Sequence, residues 1–71
     1  MIMQRLKKYL DRKGTPWRPI EEWSLIFKGN HPDGIFIDAK LAPMSYIKLL
    51  GLKWEYRGHY QSVYVYPKEG Q

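Results

Sequence analysis

Residues Lys53 to Pro67 read KWEYRGHYQSVYVYP, and no other stretch limits the fold of this chain so much. Two runs of aromatic and β-branched residues, the types that suit a pleated surface, flank Gly58 and His59. Gly58-His59 fits a two-residue type II′ turn, whose first central position calls for glycine. That loop sets Arg57 opposite Tyr60, Tyr56 opposite Gln61, Glu55 opposite Ser62 and Trp54 opposite Val63. Trp54, Tyr56, Val63 and Val65 then share one face, expected to be core, while Lys53, Glu55, Arg57, Tyr60, Ser62, Tyr64 and Tyr66 share the other. A three-residue loop, with Tyr56 opposite Tyr60, would instead gather the aromatic rings of both strands on one face.

With 71 residues the chain makes one domain, residues 1–71, and a domain this small buries only about 60% of the surface its unfolded chain exposes. Its core must be thin. A composition 44% hydrophobic and 15% aromatic is far from that of a disordered chain. The absence of cysteine excludes disulfides and thiolate metal sites, so aromatic burial has to supply much of the stability, and a reducing interior is expected. No apolar run approaches the ~20 residues of a membrane span, and MIMQRLKKYL lacks the apolar stretch of a signal peptide. A soluble, cytoplasmic protein is expected.

From Ile2 to Lys13 the apolar residues Ile2, Met3, Leu6, Tyr9 and Leu10 recur at helical spacing, with Arg5, Lys8 and Arg12 on the opposite side and Lys7 at its margin. Gly14 stops this first helix, and Thr15-Pro16-Trp17-Arg18-Pro19 is a stiff connector. A second helix is expected from Pro19 to Lys28, with Glu21 and Glu22 in its first turn, and Ile20, Trp23, Ile26 and Phe27 inward. His31-Pro32-Asp33-Gly34 reads as a type I turn, and Ile35-Phe36-Ile37-Asp38 as a strand. A short third helix runs from about Pro43 to Leu50, stopped by Gly51. Met44, Tyr46, Ile47, Leu49 and Leu50 leave it only Ser45 and Lys48 as polar positions, which suggests packing on nearly all sides. The expected fold is α+β, in the order helix, helix, strand, helix, strand, strand, with a three-stranded antiparallel sheet.

Charge is concentrated at the N-terminal end. Residues 1–18 hold six cations against Asp11, a net of +5, whereas residues 19–52 come to −1 and residues 53–71 to +1. A clustered positive field with a pI near 9.6 favours an anionic partner, most often nucleic acid. Catalytic patterns are missing: there is no glycine-rich phosphate loop, no His/Cys metal spacing and no serine nucleophile with a local signature. His31, Asp33 and Asp38 could share a metal, but around a Pro-Gly corner they read as turn residues. Neither enzymatic activity nor a metal or cofactor is expected.

The order of elements over residues 19–66 resembles the winged helix-turn-helix. The resemblance implies a recognition helix carrying Ser45 and Lys48 and a wing tip at Arg57, Gly58 and His59. Such a helix offers few side chains for base edges, so phosphate contact with little sequence readout is implied. His59, read as a solvated turn residue, would add positive charge below pH ~6.5.

Two functional readings result. The first is a small nucleic-acid-binding domain using Arg5, Lys8, Arg12, Lys48, Arg57 and His59. The second is a small accessory protein or inhibitor, of the kind phages and mobile elements encode, that binds a protein partner through Tyr60, Tyr64 and Tyr66. Eleven aromatic residues in 71 support it, because tyrosine and tryptophan are enriched at binding hot spots. Charge segregation onto one helix face is harder to explain by packing and favours the first.

Overall fold

The computed structural model of the chain describes residues 2–21, 30–58 and 60–68. Helix α1 spans Ile2–Lys13 and buries Met3, Leu6 and Leu10, the apolar face given by helical periodicity. Gly14 ends it at φ +71°, where Thr15 N–H donates to Leu10 O (2.8 Å) and Gly14 N–H to Asp11 O (3.2 Å). This is a Schellman motif, which satisfies the last carbonyls of a helix. Helix α2, Met44–Leu49, closes the same way: Gly51 sits at φ +73°, and Leu52 N–H reaches Ile47 O at 3.3 Å. Leu52 and Ile47 are both buried, the apolar contact that accompanies such a stop.

Among the described residues four strands form one antiparallel sheet: β1 (Trp17–Pro19), β2 (Ile35–Asp38), β3 (Lys53–Arg57) and β4 (Ser62–Tyr66), in the order β1-β2-β4-β3. The register pairs Trp17 with Ile37, Ile37 with Val63, and Val63 with Tyr56. Residues alternate between the two faces, so Ile35, Ile37, Val63 and Val65 line one side and meet Met3, Leu6, Leu10, Ile47 and Leu52 in the core. Both helices cover this side, and they touch through Tyr9 and Tyr46, whose rings stack with centroids 4.3 Å apart.

The winged-helix-like arrangement is overturned. The sheet has four strands rather than three, and Trp17–Pro19, read from sequence as a connector leading into a helix at Pro19, is a strand paired along β2. The remainder of the expected second helix, with Glu22, Trp23, Ile26 and Phe27, lies outside the described residues, as does His59. The third helix forms within its expected bounds, but Leu49 is 79% exposed and Ile47 alone is buried within α2. Packing on nearly all sides is therefore also corrected.

The hairpin joining β3 to β4 has a four-residue loop, Gly58 to Gln61, closed by the pair Arg57 and Ser62. Tyr60 N–H donates to Arg57 O (3.1 Å), Gln61 N–H to Gly58 O (3.2 Å), and Gln61 takes φ +50°. Four-residue loops of this kind are common hairpin connections. The register thus differs by two positions from the expected one, which preserves the division into faces and moves Tyr60 out of the strand.

The opposite side of the sheet is covered as well. Tyr64 is only 3% exposed, because the chain from Asn30 to Gly34 lies across it. His31 N–H donates to the Tyr64 hydroxyl (2.7 Å), and a Cβ at Gly34 would stand 2.5 Å from Tyr64 Cε1. Glycine is required there by close approach rather than by backbone angle. Trp54, expected in the core, is 41% exposed on edge strand β3.

Candidate nucleic-acid interface

Helical geometry divides α1 into four aspects. Leu6 and Leu10 point at the sheet, and Arg5, Lys8 and Arg12 point away from it and are exposed. One flank carries Lys7 and Asp11 toward β1. There the Trp17 indole N–H donates to Asp11 Oδ1 (3.0 Å), and Lys7 Nζ lies 5.2 Å from the Trp17 ring centroid. The other flank carries Tyr9 and Lys13 toward α2, with Lys13 Nζ 5.8 Å from the Tyr9 ring centroid. The one acid of the helix is therefore turned aside and occupied. Arg5, Lys8 and Arg12 make no ion pair among the described residues.

Lys48 and Ser45 are exposed on α2, in the same helical layer as α1. The Lys48 ammonium lies 5.7 Å from the centroid of the Trp54 ring, a cation-π placement that keeps its charge at the surface.

Arg57 stands apart from these cations. Its position in β3 alternates with Trp54 and Tyr56, which puts it on the side of the sheet away from both helices. Its guanidinium carbon lies 4.9 Å from the Tyr64 ring centroid, and Nη2 donates to Glu55 Oε2 (3.0 Å) and Asn30 Oδ1 (3.2 Å). The fold thus separates Arg57 from Arg5, Lys8 and Arg12.

Of the three tyrosines assigned to a protein-binding face, Tyr60 is exposed in the loop, Tyr66 is half-buried and Tyr64 is buried. Tyr64 and Tyr66 stack at 4.8 Å, Phe36 packs against Tyr64 at 5.4 Å, and the Tyr66 hydroxyl donates to Glu55 Oε1 (3.4 Å). Burial, above all, pushes the Tyr64 hydroxyl above the ordinary tyrosine range, opposed by the His31 N–H it accepts. Tyr66 is raised by burial first and then by the Glu55 carboxylate.

His31 Nδ1 accepts from Asp33 N–H (3.0 Å), Asp38 Oδ1 accepts from Lys40 N–H (2.9 Å), and Gly34 N–H closes the turn on His31 O (3.0 Å). These side chains serve local turns. Among the described residues no three His, Cys, Asp or Glu side chains gather as a metal site, and no helix is long and apolar enough to cross a membrane.

Sequence reasoning missed the aromatic rest positions of Lys7, Lys13 and Lys48. Only the i, i+4 spacing of Tyr9 and Lys13 signals one of them locally, since the other two pairs join different elements. Comparison of the chain with protein-family models, with curated proteins and with solved structures finds no match.

Proposed function

We propose that this protein binds nucleic acid through the outward face of α1, by phosphate contact with little readout of bases. The supporting observation is the exposure of Arg5, Lys8 and Arg12 on one stripe while Asp11 is turned aside and engaged by Trp17. From Arg5 to Arg12 the stripe climbs seven helical steps, roughly 10 Å, about three axial steps of a strand whose charges fall ~3.4 Å apart. Lys7, Lys13 and Lys48 lie on aromatic rings and add to the field without standing in the stripe. Arg57 is tied to Glu55 and Asn30 on the far side of the sheet, so it is omitted from the contact set.

Three phosphates neutralised should give a log–log salt slope of about −2.7. Fluorescence anisotropy with a labelled duplex across a salt series measures it. Changing Arg5, Lys8 and Arg12 together to alanine should flatten the slope while leaving the circular dichroism spectrum unchanged. Absence of binding at low salt, or an unaltered slope in the triple variant, would refute the reading.

A further inference from the structure

Between the two helices lies a shallow, open depression that phosphate binding leaves unused. Tyr9, Ala42, Pro43, Met44, Tyr46 and Leu49 line it, with Ser45 at its edge. Leu49 is the most exposed of the large apolar side chains among the described residues, at 79%. Positive charge borders the depression on its α1 side. Arg5, Arg12 and Lys13 stand at i−4, i+3 and i+4 from Tyr9, its neighbours on the helix surface, whereas Lys48 is turned toward Trp54. Asp11 is on the opposite flank, held by Trp17.

An apolar seat with a basic rim on one side selects its occupant by charge and by shape. A second copy of this chain would bring the same cations against the same rim and a further net +5, so like charge opposes self-association here. A stacked base is poorly served, because Tyr9 already stacks on Tyr46 and carries the Lys13 ammonium over its ring, and the rest of the lining is mostly aliphatic. We propose that the depression docks an acidic amphipathic helix of a partner protein. Apolar side chains of that helix would seat beside Leu49 and Tyr46, with its carboxylates against Arg5, Arg12 and Lys13. Apolar anchors in a groove give such complexes their affinity, and surrounding charge sets orientation and choice of partner. Arg5 and Arg12 also belong to the phosphate stripe, so the partner helix and nucleic acid exclude one another.

The test uses the full chain and a labelled synthetic peptide of about 18 residues, roughly 27 Å when helical, with leucine on one face and glutamate on the other. Two control peptides replace every leucine by serine, or every glutamate by lysine. Expected are saturable binding of the acidic leucine peptide, no measurable binding of either control, and amide NMR shifts centred on Tyr9 and residues 42–49. Leu49→Ser, at an exposed position, should weaken binding about tenfold or more, as for an interface anchor. Equal binding of the serine control, or an unchanged Leu49→Ser affinity, would reduce the contact to charge attraction and overturn the proposal. So would a single-stranded oligonucleotide that shifts residues 42–49, or a concentration-dependent dimer that Leu49→Ser dissolves. The peptide is measured without nucleic acid, so failure of duplex binding leaves this result standing.

Discussion

Tyr64 is where the segment from Asn30 to Gly34 is fastened to the sheet. Its ring stacks on Tyr66 and lies beneath the Arg57 guanidinium, its hydroxyl receives the His31 N–H, and Gly34 leaves the space its edge occupies. The arrangement has a cost, because Asn30 Nδ2 and Arg57 Nε are buried without an acceptor among the described residues, and an unmet donor of this kind forfeits ~1–3 kcal/mol. Stacking of Arg57 on Tyr64 offsets part of it. Emptying the Tyr64 site should therefore be severe: Tyr64→Ala is expected to lower stability by about 3–5 kcal/mol, the range for large aromatic truncations. Trp54→Ala, at a position 41% exposed, should cost under about 1.5 kcal/mol. Urea denaturation of both variants decides the order, and equal losses would show that Tyr64 is not the fastening point. Sequence pattern alone gives the reverse order, because alternation along a strand separates two faces without saying which is covered.

Elements governed by local rules are legible in the sequence, and those governed by distant contacts are not. The buried face of α1 follows from the spacing of Met3, Leu6 and Leu10, and both helix stops follow from Gly14 and Gly51. Strand β1 is hidden because two prolines within five residues argue against a strand, and Pro19 is tolerated only because β1 is an edge. The candidate site divides the same way: the stripe of Arg5, Lys8 and Arg12 is visible as periodicity, whereas the capture of Arg57 by Asn30, 27 residues distant, is not. Loop length in the hairpin was obscured by Gly58, which suits a two-residue turn, while the left-handed position falls on Gln61 at φ +50°. A non-glycine residue there costs about 1–2 kcal/mol. Gln61→Gly should accordingly raise stability, by about 0.5–1 kcal/mol once the added freedom of the unfolded chain is subtracted. Thermal and urea melts measure it, and a destabilised Gln61→Gly protein would place the strain elsewhere.

At the scale of the whole molecule the fold is a slab of about 31 × 28 × 17 Å, with α1, α2 and the exposed Arg5, Lys8 and Arg12 on one broad side. Clustered like charge repels itself in the native state, and salt screens that repulsion. Raising ionic strength from about 0.02 to 0.3 M should therefore lift Tm by a few degrees, roughly the effect of 0.5 kcal/mol in a domain this size. The alanine triple variant at Arg5, Lys8 and Arg12, its net charge reduced from +5 to +2, should show half the gain or less. A Tm that falls with salt would mean that favourable ion pairs outweigh the repulsion. Among the described residues the strand order makes β1 and β3 the two edges of the sheet, and their composition bears on how the protein behaves when crowded. Strand β1 offers three residues, one of them a proline without an N–H, and β3 sets Lys53, Glu55 and Arg57 in alternation along its length. An incoming strand would find too short a template at one edge and would have to match or bury a row of alternating charges at the other. The sheet is thus closed to end-to-end growth into fibres by the chemistry of its borders, with no further element needed to cap them.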